Sequence, residues 1–376
     1  MMKPNNPFLV YGYHSPAYFC DRETETQKII SALNNERNLT LIAPRRMGKT
    51  GLIKNVFHNM AEQEKKIFCF YMDIYSTRDL KAFVQVLAKT VLGELDTLSQ
   101  SALRKLMSFF KSCRPVISAD ERTGTPTVTL DFLPEQSEQT LKEIFDYIKD
   151  SGKRCYLAID EFQQITEYPE KGVEALLRSY IQFIPNVHFI FSGSKKHVME
   201  EMFTSGKRPF YQSTQMMVLK EIPEETYYQF ASRFFEKAER ELPKEIFSYI
   251  YDLEDGHTWY IQTILNRLYE TSYKTINKER VDQTVSNILE EQESVYQNNL
   301  VLLTNNQVNL LKAVAMEDCA QSVNSSEFIK KYNLKTPSSV NVALKSLLNK
   351  ELLYKTSKGY IVYDRFMGKW LKSEVI

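Results

Sequence analysis

The chain has 376 residues, with 48 Lys/Arg against 47 Asp/Glu and a net charge of +1 at neutral pH. That length accommodates two or three domains and a large buried core, and the even charge balance gives no general bias towards nucleic acid. No apolar run approaches about 18 residues, which argues against a transmembrane helix. The opening Met1-Met2-Lys3-Pro4-Asn5-Asn6 leads into no apolar segment of signal-peptide length, so a cytoplasmic protein is expected. Cys20, Cys69, Cys113, Cys155 and Cys319 lack C-x-x-C spacing and read as reduced thiols. His14, His58, His188, His197 and His257 form no H-x-x-x-H pair, which argues against zinc.

In chain order, Asn6 to Cys20 is rich in Pro, Tyr and Gly and is predicted to be extended. Asp21 is a candidate N-cap for a helix through Ile29, Ile30 and Leu33. The apolar run Asn38-Leu39-Thr40-Leu41-Ile42 reads as a strand. It is followed by Ala43-Pro44-Arg45-Arg46-Met47-Gly48-Lys49-Thr50-Gly51 and by Leu52, Ile53, Val56, Phe57 and Met60 at helical spacing. Strand, loop and helix in that order make a phosphate-binding loop, because backbone N–H groups at a helix start favour an anion. Residues 43–51 are therefore the expected nucleotide-binding segment, with Lys49 reaching the β- and γ-phosphates and the Thr50 hydroxyl ligating Mg²⁺. Ala43 stands where the pattern usually has Gly and leaves little side chain in the way. Gly48 retains the freedom needed where backbone wraps a phosphate.

Ile67–Ile74 reads as a buried strand and Asp79–Gly93 as an amphipathic helix. Arg114–Ser118 and Thr127–Phe132 flank the turn-rich Asp120–Pro126, predicting a hairpin inserted near 113–133. A helix over Glu138–Asp150 leads to Cys155-Tyr156-Leu157-Ala158-Ile159, a strand ending in Asp160-Glu161. An acidic pair at the C-terminal end of a parallel strand lies where open α/β sheets place ligands. Asp160 is expected to bind Mg²⁺ and Glu161 to polarise an attacking water. After a helix over Val173–Phe183, the strand Val187–Phe191 ends in Ser192-Gly193-Ser194. Ser192 and Ser194 are both candidates to sense a γ-phosphate, and either also suits an ordinary turn. Met216–Leu219 is a fifth strand, and strands alternating with helices predict a parallel sheet covered on both faces.

From Pro223 the pattern is helical: Glu224–Glu239, Lys244–Asp252, a helix opening at Gly256-His257-Thr258-Trp259-Tyr260, and Lys278–Glu293. The last seventy residues predict helices over Asn306–Ala315 and Ser325–Lys331, then a third capped by Thr336 with Pro337 at its first position. A hairpin turn, Thr356-Ser357-Lys358-Gly359, follows, and three helices plus a hairpin make a winged helix. Residues 305–376 carry eleven Lys/Arg against six Asp/Glu, a local basic bias. The expected division is a P-loop domain over 1–222, a helical lid over 223–300 and a winged helix over 301–376.

These segments together resemble the archaeal-type AAA ATPase family, P-loop ATPases related to the STAND NTPases and the origin-recognition ATPases. The matching stretches are Tyr18–Glu23, Ala43–Thr50, Arg114–Ser118, Ile159–Gln163, Phe191–Ser194, Gly206–Tyr211, Gly256–Tyr260 and Tyr363–Leu371. The resemblance implies an α/β P-loop NTPase fold followed by a helical lid and a winged helix. It further implies ATP and Mg²⁺ as cofactors, slow regulated hydrolysis to ADP, and an opening segment folding over the adenine base. Arg208 lies after the sensor strand, in a segment able to face a γ-phosphate in cis or from a neighbouring copy of a homo-oligomer. His257 is a candidate nucleotide contact, although Thr258 stands where the lid motif often has Pro. Some relatives carry a nuclease-like C-terminal domain; the chain stops just past the winged helix, and no nuclease activity is expected. The leading functional reading is an ATP-hydrolysing conformational switch with no membrane partner. The alternatives are a regulator binding duplex DNA through Ser338, Ser339, Asn341 and Lys345, a winged helix that binds a protein partner, and a nucleotide-gated component of a defence or signalling system.

Overall fold

The computed structural model describes residues 3–64, 66–95, 106–119, 126–356 and 358–374. It forms two compact units. One comprises Leu9–Phe230 with His257–Trp259; the other comprises Met1–Phe8, Ala231–Gly256 and Tyr260–Ile376.

The first unit is built on a five-stranded parallel sheet in which β1 (Leu39–Ile42), β2 (Ile67–Asp73), β5 (Arg154–Asp160), β6 (Val187–Gly193) and β7 (Gln215–Val218) take the order β2-β5-β6-β1-β7. Strand alternation sends side chains to opposite faces. Phe68, Phe70, Met72, Leu157, Ile159, Phe189 and Phe191 join one core cluster with α3 (Leu80–Leu95), α4 (Ser137–Asp150) and α5 (Val173–Ile181). Leu39, Leu41, Tyr71, Tyr156, Ala158 and Ile190 join the other, with α1 (Glu23–Asn34) and α2 (Lys49–Gln63). Helices therefore cover both faces, as the alternation of strands and helices predicts. The inserted hairpin is present as β3 (Arg114–Ala119) paired antiparallel with β4 (Pro126–Asp131), and Val128, Leu130 and Phe132 anchor it in the first cluster. Its turn residues 120–125 lie outside the described residues.

Several boundaries differ from the sequence reading. Asp21 does not cap α1: the cap position is Arg22 in a left-handed conformation, without a side-chain cap bond. Asp21 is itself left-handed, so its carboxylate follows a different backbone course from an ordinary N-cap. The opening stretch contains a 3-10 turn over Pro16–Tyr18. The helix after Gly172 ends at Ile181, two residues short of its expected limit.

After α6 (Lys196–Thr204) come α7 (Glu224–Lys237), which passes from the first unit to the second at Phe230, α8 (Lys244–Leu253), α9 (Thr258–Glu270), whose first two residues belong to the first unit, and α10 (Lys278–Val301). Helix α10 runs eight residues past its expected end, since no Gly or Pro breaks it and Tyr296 is buried. The winged helix comprises α11 (Asn305–Met316), α12 (Ser326–Lys331), α13 (Pro337–Asn349) and the hairpin β8 (Leu353–Lys355) with β9 (Tyr360–Val362). Thr336 caps α13 by accepting from the Ser339 amide, as its sequence predicts. A fourth helix, α14 (Arg365–Ser373), was not anticipated; Asp364 caps it and Phe366, Met367, Trp370 and Leu371 bury one face. Among the described residues no helix is long and apolar enough to cross a membrane, and all five cysteines are free.

Candidate functional site

Strand β6 lies between β1 and β5, so the loop after β1, the acidic tip of β5 and the serines of β6 meet at one end of the sheet. Gly48 at the start of α2 has φ of 91°, a conformation that side chains disfavour, and open space surrounds the position a Cβ would take. The Lys49 ammonium is buried and donates to the carbonyl oxygens of Ala43 at 2.9 Å and Pro44 at 3.3 Å. Burial pushes its pKa below the ordinary lysine value, while the Glu161 and Asp160 charges oppose that shift.

The Thr50 hydroxyl donates to Asp160 Oδ2 at 2.9 Å, joining the phosphate loop to the acidic strand. Asp160 Oδ1 accepts from the Glu161 amide at 3.0 Å. Hydroxyl and carboxylate oxygens are hard donors suited to Mg²⁺, so this pair fits the metal expected from the sequence. Glu161 has φ of 55°, an unusual backbone for a side-chain-bearing residue. Its Oε2 accepts from Ser194 Oγ at 2.6 Å and from Gln163 Nε2 at 2.5 Å.

Register separates the two serine candidates. Ser192 pairs with Leu41 inside the sheet, and its buried hydroxyl lacks a hydrogen-bond partner. Ser194, past the strand end, holds Glu161. Between them, a Cβ on Gly193 would collide with Gln163 Oε1 and the Met199 side chain; the glycine lets Gln163 lie against β6.

The remaining loop residues face other partners. The Arg45 guanidinium stacks 4.9 Å from the Tyr75 ring centre and Arg46 4.1 Å from that of Trp259. Met47 is buried in the α2-side core, and a Cβ on Gly51 would meet the Phe19 ring at 3.1 Å. The loop thus touches the His257–Trp259 segment through Trp259, while the Thr258 carbonyl accepts from Tyr227 at 3.2 Å. Arg208 is tied by ion pairs to Glu174 at 2.6 Å and Glu201 at 3.6 Å.

Residues 19–264 match the family described as an ATPase domain predominantly from Archaea. The chain belongs to that family. Residues 294–373 match a probable winged helix domain. An uncharacterized ATP-binding protein of Methanocaldococcus jannaschii is 22% identical over 270 residues, covering 66% of this chain and 70% of its own. A second protein so named, from the same organism, is 30% identical over 167 residues, 41% of this chain and 45% of its own. Among solved structures, the Walker-type ATPase of Pyrococcus abyssi is 18% identical with a TM-score of 0.67, covering 97% of this chain and 99% of its own. The ORC2 protein of Aeropyrum pernix, in ADPNP–ADP complexes, is 13% identical with a TM-score of 0.58, covering 99% of each chain. These two likenesses show the fold.

Strand β2 brings beside Asp160 and Thr50 two residues that sequence reading did not single out. The Tyr71 hydroxyl donates to Asp160 Oδ2 at 2.6 Å and lies 3.4 Å from Thr50 Oγ1. Burial, then the Asp160 charge, raise its pKa above the ordinary phenol value. Asp73 is in register with Asp160, and burial raises its carboxyl above the usual range. The available signal was the alternation of Ile67, Cys69, Tyr71 and Asp73 along one strand face. Its use depends on knowing that β2 is the neighbour of β5.

Proposed function

We propose that the chain binds ATP with Mg²⁺ at the loop after β1 and hydrolyses it to ADP, the nucleotide acting as a conformational switch. The observation that carries this reading is the 2.9 Å bond from Thr50 to Asp160, which brings phosphate-loop hydroxyl and strand-tip carboxylate together. The names of the two Methanocaldococcus jannaschii relatives as ATP-binding proteins agree with it.

In this reading the amides around Gly48 and the Lys49 ammonium hold the β- and γ-phosphates. Thr50 and Asp160 hold the metal, which when bound neutralises charge developing on the transferred phosphoryl group. Glu161 accepts a proton from the attacking water, and Ser194 with Gln163 fixes the carboxylate that does so. Ser194 is thereby assigned to Glu161 positioning and Ser192 to the sheet interior. Arg208 reaches a nucleotide, in its own chain or a neighbour, only by leaving Glu174 and Glu201. His257 is assigned as a nucleotide contact, two residues from Trp259, whose ring lies under Arg46 of the loop. Glu161→Gln is expected to retain ATP binding while turnover falls by about 100-fold or more; unchanged turnover contradicts the assignment.

A second reading, duplex DNA binding by the winged helix, draws on one surface. Helix α13 exposes Ser338, Asn341, Val342 and Lys345 together, an amide, an apolar group and a cation of the kinds used for adenine, the thymine methyl and phosphate. The salt dependence of duplex binding tests it.

A further inference from the structure

Tyr71 stands against the Thr50–Asp160 pair and has no part in the reaction as proposed above. Strands β2 and β5 are parallel, with Tyr71 opposite Ala158 and Asp73 opposite Asp160. Paired residues of adjacent strands face the same side, so Tyr71 shares the α2 side of the sheet with Asp160 and lies one pleat below it. A side chain of tyrosine length spans that step, and its hydroxyl meets Asp160 Oδ2 at 2.6 Å. The ring is packed among the α2-side core residues, and the Lys54 ammonium lies 5.3 Å from its centre.

The consequence is a carboxylate held by three donors from three elements. The Glu161 amide takes Oδ1 at 3.0 Å, Thr50 of α2 takes Oδ2 at 2.9 Å, and Tyr71 of β2 takes the same oxygen. A hydroxyl-to-carboxylate bond of this length belongs to the strong, charge-assisted class. It also lies within 3.4 Å of the Thr50 oxygen, so one phenol spans both groups assigned to the metal.

We propose that Tyr71 is a positioning residue for the divalent metal, fixing Asp160 and Thr50 in the orientation in which they receive it. The proposal rests on the ATP and Mg²⁺ reading of this site. Outer-shell partners of metal-binding groups typically contribute about 10- to 100-fold in metal affinity. Their effect is absent where no metal binds, which separates positioning from general packing.

The test is Mg²⁺ titration of a fluorescent non-hydrolysable ATP analogue bound to wild-type protein and to Tyr71→Phe, which removes one oxygen and keeps the ring. The expected result is an Mg²⁺ midpoint raised about 10-fold, with analogue affinity in EDTA unchanged. A midpoint equal to wild type overturns the proposal. So does an equal loss of affinity with and without Mg²⁺, which a packing role produces. Because the residue acts through Asp160 and Thr50, Tyr71→Phe is expected to shift the midpoint less in an Asp160→Asn background than in the wild type; an equal or larger shift overturns it. Should Tyr71→Phe alone fold poorly, Tyr71→Leu removes the phenol oxygen without adding a donor or volume and carries the same expectation. Wild-type protein that binds no analogue under either condition refutes the nucleotide site itself.

Discussion

Glu161 occupies a strained backbone position with its carboxylate held by Ser194 and Gln163, so the residue assigned to water activation has a defined orientation. Ser194→Ala is therefore expected to keep ATP binding and lower turnover by about 10-fold, the effect of loosening a proton acceptor worth about 10²–10⁴ overall. Ser192→Ala is expected to leave turnover intact and thermal stability unchanged or slightly higher, since its hydroxyl is buried without a partner. Parallel turnover and melting measurements on the two variants check both, and a reversal of their effects contradicts the register argument. Lys49, Thr50, Asp160 and Glu161 were legible in the sequence because each sits in a contiguous stretch whose spacing already encodes strand, loop and helix. Tyr71 and Asp73 were not, because their roles arise from strand order and register across residues far apart in the chain, and Gln163 was not, because its bond to Glu161 depends on the left-handed backbone at Glu161. The choice between Ser192 and Ser194 stayed open in the sequence because it depends on where β6 ends: Ser192 pairs inside the sheet, and Ser194 lies past the strand and reaches Glu161.

Among the elements, those with strong periodicity were read correctly in type. Strands β1, β5 and β6 are short apolar runs, and α2 and α3 show helical spacing bounded by polar residues. The misread ones had signals that sequence reading underused. Helix α10 continues because nothing breaks it, and α14 has both a cap in Asp364 and a repeating apolar face. The reading of Asp21 as a cap relied on residue type, whereas the backbone there is left-handed at two successive positions. Helix α13 carries the prediction at this scale. Its exposed face with Asn341, Val342 and Lys345 is expected to bind duplex DNA with affinity falling steeply as salt rises. Lys345→Ala should reduce the log–log salt slope by about one; binding with no salt dependence contradicts the DNA reading of this helix.

At the scale of the whole molecule, the chain divides into two compact units, and the one without the phosphate loop contains its own titratable element. Glu254 is fully buried, and Lys369 stands 3.5 Å away with its ammonium donating to the Leu253 carbonyl, so neither Glu254 oxygen has a hydrogen-bond donor. Burial, only partly opposed by the Lys369 and Arg365 charges, pushes the carboxyl up to about 7, and Asp255 adds to that rise. The folded form therefore holds a proton that the unfolded chain releases near its ordinary value of 4.5, so this contribution is complete below that value and is lost as pH rises through about 7. Its size is on the order of 3 kcal/mol. Urea unfolding followed by Trp370 emission in a Trp259→Phe background should show Glu254→Gln gaining stability over the parent between pH 5 and pH 8; a constant difference across that range contradicts the assignment. The account as a whole depends on a triphosphate seated at the phosphate loop, and calorimetric titration of Mg·ATP into the wild type and Lys49→Ala tests it most directly. Saturable binding by the wild type with none detectable in a folded Lys49→Ala is the predicted result, and equal affinity in the two proteins would contradict it.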